Sequence, residues 1–292
     1  MKAGPNNLVL AALVIQVIFA GINFVAVRFS NMELPPFWGA CLRFTLAGII
    51  FLVIVGLRRL RLPRGRALEG AVIYGVLSFG VSYAFAYYAL VTVQAGLAAV
   101  VLSLVPVATL FLAAAQKQER LGKRGLIGGL IAVGGTALVF NEQLTLSIPL
   151  PPLLALLGAV VAISETSVVL KHFPRSDPYG TNAVGMLVGA AILMVLSLFA
   201  GEKWTLPAQI PTIVSVAYLV LPGSVLVFAL YLYVISRWSA SATNYGFVLI
   251  PLVTVLVAST IAGEAVTLTF LLGTFLVLLG VYLGAVSRSF RR

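Results

Sequence analysis

Between Leu8 and Val286 the chain is a series of apolar stretches, each about as long as a helix that crosses a bilayer, and this leaves little choice of fold. A spanning helix needs about 20 largely apolar residues to cross roughly 30 Å of hydrocarbon. Charged or proline-marked breaks divide the sequence into ten such pieces: Leu8 to Val27, Pro36 to Leu57, Leu68 to Val91, Ala95 to Gln116, Gly125 to Phe140, Pro152 to Lys171, Tyr179 to Ala200, Pro211 to Ile235, Ala240 to Gly263 and Leu268 to Val286. Lipid offers backbone amides no partner, so every piece is expected to be an α-helix and the fold an all-α membrane protein. Composition agrees. Hydrophobic residues fill 61% of 292 positions and charged residues 9%, where a soluble domain carries about 25% charged residues.

The net charge of +11 would suggest nucleic acid in a soluble protein, but here the bases sit between apolar runs and read as topology signals. With the N-terminus inside, 16 of the 19 Lys and Arg residues fall in cytoplasmic segments, including the cluster from Arg58 to Arg66. Only Arg28 and Lys203 fall outside, and Arg43 lies within the second span. This asymmetry predicts ten spans with both termini in the cytoplasm; the expected location is a bacterial inner membrane. The first stretch reads as a retained helix and not a cleaved signal. Cys41 and His172 are the sole cysteine and histidine, which excludes an internal disulfide and a Cys/His metal site, and no cofactor is expected.

An internal repeat follows from an offset of 145 residues. Tyr88 matches Tyr233, Ala95 matches Ala240, Pro106 matches Pro251, Thr109 matches Thr254, Glu119 matches Glu264, Gly128 matches Gly273 and Gly135 matches Gly280. Earlier in each half the offset slips to 143, pairing Arg28 with Lys171 and Pro35 with Pro178. Two repeats, 1–146 and 147–292, then hold five spans each. Five is odd, so the second enters the membrane from the opposite side. Inverted repeats suit alternating access, because two exchangeable packings of like halves open one central cavity to either face in turn.

These residues also carry a resemblance. The stretch from Pro36 to Phe44, the run from Tyr88 to Pro106, its partner from Tyr233 to Pro251 and the Glu after each run resemble the drug/metabolite transporter superfamily, EamA type. In length and layout the chain is similar to the YddG-type amino-acid exporters. The resemblance implies a ten-helix basket whose cavity is lined by spans one to four and six to nine, and movement of amino acids, other metabolites or drugs, commonly outward.

Candidate cavity residues come from polar groups at depth. Glu165 is the only acid deep inside a span, where an ionisable group costs about 2.5 to 3.5 kcal/mol unless it faces a partner or water. It could hold a substrate ammonium group or a proton, or bond Ser164 or Ser167 between helices. Arg43 could snorkel or pair helices, or face a substrate carboxylate. Phe79, Tyr83 and Tyr87 share one helix face, beside Ser78 and Ser82, as a cavity wall or ordinary packing. Ser224, Phe228 and Tyr231 occupy nearly equivalent places in the eighth span. Asn23, Ser103, Asn244 and Tyr245 supply further hydrogen-bonding groups. Pro106 and Pro251 lie inside matching helices, where paired kinks could act as gating hinges. Gly185 and Gly189, Gly280 and Gly284, and Gly128 and Gly135 present smooth faces for close helix contact, which is compatible with a monomer or a weak homodimer.

An intramembrane enzyme would need a nucleophile with its base, a metal set or an aspartyl pair, and no such motif occurs. No ATP-binding G-x-x-x-x-G-K-[ST] motif occurs either, so transport should be secondary or facilitative. Amino acids or similar small metabolites are the expected cargo, and membrane lipid the expected surroundings. Nucleotide sugars, drugs and lipid-linked molecules remain the alternative on the same fold.

Overall fold

In the computed structural model, residues 7–118, 122–145, 149–174, 176–235 and 245–283 are described, without the side chains of 142–145, 232, 235 and 245–248. Among them are ten helical rods and no strand: α1 (Asn7–Ser30), α2 (Pro36–Leu57), α3 (Arg66–Ala89), α4 (Ala95–Ala115), α5 (Lys123–Thr145), α6 (Leu150–His172), α7 (Pro178–Phe199), α8 (210–235), α9 (Tyr245–Ile261) and α10 (Leu268–Val281). Eight of them, α1 to α8, are long and apolar enough to cross a membrane. The last two have 17 and 14 residues, and α9 begins directly after residues outside the described set.

The starts of these helices follow from local chemistry. Proline opens α2, α6, α7 and α8 within the first two positions, where its missing N–H costs nothing. Asp177 accepts from the amides of Tyr179 (3.0 Å) and Gly180 (3.1 Å) at the head of α7, and Thr267 accepts from Phe270 at the head of α10. Along α2, Ala40, Phe44, Ala47 and Phe51 are buried while Leu46, Ile49, Val53 and Leu57 are exposed. Both faces are apolar, which suits a helix with protein on one side and acyl chains on the other.

Among the described residues two helices change pitch in mid-course. In α3 the stretch Gly75–Val81 is π-helical, and in α8 so is Leu221–Leu226. At the 145-residue offset the two stretches coincide to within one residue at their first end. In α8 the cause is local, since Pro222 cannot donate to the carbonyl four residues back. In α3 the turn begins where α7 comes closest: a Cβ at Gly75 would stand 2.7 Å from the Gly185 carbonyl oxygen of α7.

The helices sort into two compact units, each taking helices from both sequence repeats. One holds most of α1 with α4, α5, the end of α8, α9 and α10. In it α5 and α10 meet through glycine, a Cβ at Gly135 falling 2.7 Å from the Gly273 carbonyl oxygen and one at Gly280 falling 2.5 Å from that of Gly128. Val9, Leu13 and Val17 of α1 pack with Val234, Ile250 and Val253. The other unit holds the end of α1 with α2, α3, α6, α7 and most of α8. There α7 lies against α2 and against the π-helical turn of α3. Gly185 and Gly189 therefore serve contact within the chain, and Gly284 lies outside the described residues.

Candidate functional site

Arg43, midway along α2, is only 1% exposed. Its Nε donates to Ser224 Oγ at 2.9 Å, one terminal nitrogen donates to the Gly223 carbonyl at 3.0 Å, and the other reaches the Tyr87 hydroxyl at 3.5 Å. Ser224 holds its own place by donating to the Leu219 carbonyl five residues back, the spacing of the π-helical turn. The guanidinium also lies over the rings of Phe44, 5.0 Å to the centroid, and Tyr83, 5.3 Å. Of the ordinary roles open to Arg43, helix pairing is observed. Snorkelling is not, because the head is buried among α3 and α8.

Of the two readings of the aromatic stripe on α3, cavity wall or packing, its surroundings show close packing at two of its three rings. Phe79 is 1% exposed and Tyr87 0%, and only Tyr83 is partly exposed. The small Gly185 and Gly189 let α7 sink onto Phe79, while Phe44 of α2 packs on Phe79 at 5.1 Å and edge-on to Tyr83 at 4.6 Å. Ser82 is buried and donates to the Ser78 carbonyl. Ser78 Oγ donates to Thr166 Oγ1 at 3.2 Å, tying α3 to α6. Next to Thr166 on α6 lies Glu165, which is partly buried. Ser167 commits its hydroxyl to the Ile163 carbonyl.

Asn23, Ser103, Phe228 and Tyr231 belong to the other unit. Asn23, Phe228 and Tyr231 are partly exposed, whereas Ser103 is buried and donates to Val100 at 2.6 Å. Asn244 lies outside the described residues, as does the side chain of Tyr245. The two matched prolines do not share a backbone. Pro251 is inside the continuous helix α9, but α4 breaks at Ser103 and Leu104, and Pro106 stands in the first turn of a new segment, Val105–Ala115. Pro106 has no N–H to give the carbonyl of Leu102, the residue at which the preceding segment ends, and in the first turn of the new segment it needs no donor.

The glutamates that join distant segments are a finding sequence reasoning missed. Glu202 accepts from the amides of Phe37 (3.1 Å) and Trp38 (2.8 Å) at the head of α2. Glu264 accepts from Ala95 (2.8 Å) and Gly96 (3.1 Å) at the head of α4. Glu33 accepts from Ala208 (2.7 Å) and Gln209 (3.1 Å) just before α8. Each carboxylate satisfies donors that a helix start leaves open, and its charge opposes the positive end of the helix dipole. Glu202 and Glu264 each follow a helix-ending glycine, Gly201 and Gly263, with φ of +65°, a conformation few other residues adopt. The Gly-Glu pair at each helix exit was the available signal. Glu33 sits outside the spans, and the Ala208 amide, with those of Gln209 and the Thr212 hydroxyl, holds its carboxyl below the ordinary carboxylate range.

Comparison with known proteins shows the family and the fold. The model of the EamA-like transporter family matches twice, over residues 7–141 and 150–285. The chain is 31% identical over 264 residues to "Uncharacterized inner membrane transporter YedA" of Escherichia coli K12, covering 88% of this chain and 83% of that protein. It is 25% identical over 298 residues to "Probable amino-acid metabolite efflux pump" of Salmonella typhimurium LT2, covering 96% and 95%. A solved structure titled "Crystal structure of protein" shares the fold, with TM-score 0.67 and 18% identity over 98% of this chain and all of that one. A multi-pass, all-helical chain matched by one family model over each half belongs to the EamA-like transporter family.

Proposed function

We propose that this chain is a secondary or facilitative transporter that exports amino acids or similar small metabolites across the bacterial inner membrane by alternating access. In this reading ten spans form two inverted repeats, 1–146 and 147–292, with both termini cytoplasmic, and the protein works as a monomer or weak homodimer. Its cargo contacts come from Glu165, Arg43, Tyr83 and their neighbours, and from Asn23, Ser103, Phe228, Tyr231, Asn244 and Tyr245. Pro106 and Pro251 mark gating segments.

The observation that carries the reading is the pair of π-helical turns at matching places in α3 and α8. Such turns gather at functional sites and depart from the regular i to i−4 ladder, so a helix can change register there at low cost. The twofold match to the family model and the printed name of the Salmonella relative support the same reading.

The test is purified protein in liposomes, given labelled amino acids, nucleotide sugars and organic cations with and without a pH gradient. Saturable movement of amino acids is expected. Movement of nucleotide sugars or cations alone, or of nothing in the panel, overturns the proposal.

A further inference from the structure

The turn from α2 into α3 carries Arg58, Arg59, Arg61, Arg64 and Arg66, five arginines in nine positions, and all five are exposed. The first acid after them is Glu69, and among the described residues none of the five forms an ion pair. Both helices that it joins are long and apolar enough to cross a membrane, so the cluster stands at a bilayer surface. Exposed leucines stand among the bases: Leu57 is 81% exposed, Leu62 43% and Leu68 40%.

The loop is fixed to the fold. Pro63 is buried at the head of α7, where a Cβ at Gly180 would stand 3.2 Å from the proline ring and 3.3 Å from the Arg61 carbonyl oxygen. The amides of Arg58, Arg59 and Leu60 donate back to carbonyls at the end of α2 at 2.9 to 3.1 Å. The Arg58 guanidinium lies over the Tyr179 ring, 5.3 Å to the centroid. Gly70 of α3 admits Phe173, which brings the end of α6 and its exposed Lys171 to the first turns of α3.

Orientation in the membrane accounts for charge here but not for its placement. Bases act on topology anywhere within about 15 to 20 residues of a span end, and lysine serves as well as arginine. Arg59 has φ of +52°, the left-handed conformation that glycine takes without steric cost, and Gly201 and Gly263 fill the same turn just past α7 and α9. An arginine kept there against that cost marks the position itself. Arginine forks match phosphate oxygens in pairs, which lysine does not, and a polybasic segment beside a span gathers anionic lipid. The exposed leucines favour a lipid over a free phosphate, because they offer apolar surface to acyl chains.

We propose that the segment from Arg58 to Arg66 is a binding site for an anionic phospholipid of the adjoining leaflet. The arginines hold the phosphodiester of its head, and its acyl chains lie along Leu57 and Leu62. The site does not depend on what the protein carries, or on whether it carries anything.

The test titrates phosphatidylglycerol and phosphatidylcholine of equal chain length into the full-length protein in a neutral detergent, and native mass spectrometry counts the retained lipid. Phosphatidylglycerol is expected to bind at least about tenfold more tightly, and the preference to shrink between about 0.05 and about 0.5 M salt. The triple variant Arg61→Gln, Arg64→Gln, Arg66→Gln leaves Arg58 and Arg59 at the end of the span. It should lose at least about fivefold for phosphatidylglycerol and nothing for phosphatidylcholine. The same three positions changed to lysine keep the charge without the fork and should fall between. Lys123→Gln with Arg124→Gln, two exposed bases at the head of α5, controls for charge elsewhere and should bind as the wild type does. If the glutamine variant fails to fold, the lysine variant and the wild-type comparison decide. Equal binding of the two lipids, an unaltered triple glutamine variant, an equal loss in the α5 control, or displacement of the lipid by millimolar glycerol 3-phosphate overturns the proposal.

Discussion

Arg43 Nε donates to Ser224 Oγ across 2.9 Å, fixing the middle of α2 to the π-helical turn of α8. Ser224 is 0% exposed, so no solvent can replace the bond. Ser224→Ala should destabilise the protein by about 1.5 to 3 kcal/mol, the range for a hydrogen bond to a charged donor. Unfolding of the purified protein in mixed micelles measures it, and a loss below about 0.5 kcal/mol would show the contact to be incidental.

Gly135 and Gly134 form a matched pair for testing the α5 and α10 contact. A Cβ at Gly135 would meet backbone atoms of Gly273 and Val277 at 2.7 Å, whereas nothing lies within 4 Å of one at Gly134. Backbone cannot rotate away as a side chain can, so Gly135→Ala should cost about 1 to 3 kcal/mol. Gly134→Ala should stay within about 0.5 kcal/mol. Equal melting temperatures for the two variants would mean that the helices do not approach this closely.

Removing the charge of Glu264 tests the cap on α4. Glu264→Gln keeps the size but weakens acceptance from Ala95 and Gly96, and about 0.5 to 2 kcal/mol should go. Amide exchange by mass spectrometry should quicken in the first turn of α4 and not in α2, whose head is held by Glu202. Uniform quickening in both would argue against a local cap.

Glu33 supplies an acid-sensitive contact. Its carboxyl is held below its unfolded value, first by the Ala208 amide, so its contribution is complete above the ordinary carboxylate range. That contribution fades as pH falls through the lowered folded value. Glu33→Gln should therefore lower the melting temperature at neutral pH, and the two proteins should converge in acid. Parallel curves through the acid range would exclude this linkage.

Several helix edges were legible because they depend on neighbours in sequence. Pro36 to Leu57 emerges with both expected ends, since Pro35 and Pro36 open that helix and Arg58 and Arg59 close it. What escaped depends on residues brought together by folding. The Ser224 acceptor stands 181 positions from Arg43, and nothing in α2 announces it. Phe79, Tyr83 and Tyr87 do share a face, but the burial of Phe79 depends on the small Gly185 and Gly189 of another helix, which nothing in α3 announces. The repeat did align Glu119 with Glu264, yet the partner of Glu264 is the start of α4, 169 residues earlier in the chain. Pro106 and Pro251 were equally visible, and only the backbone distinguishes a broken rod from a continuous one.

The glutamates at helix exits also constrain how the molecule can be made. Ala95 leaves the ribosome long before Glu264, as Phe37 and Trp38 do before Glu202. During synthesis the heads of α2 and α4 therefore wait with open amides until the later half arrives. A nascent chain halted after its first half carries unfinished helices, and completion of the early segments is an act of the last ones to be translated.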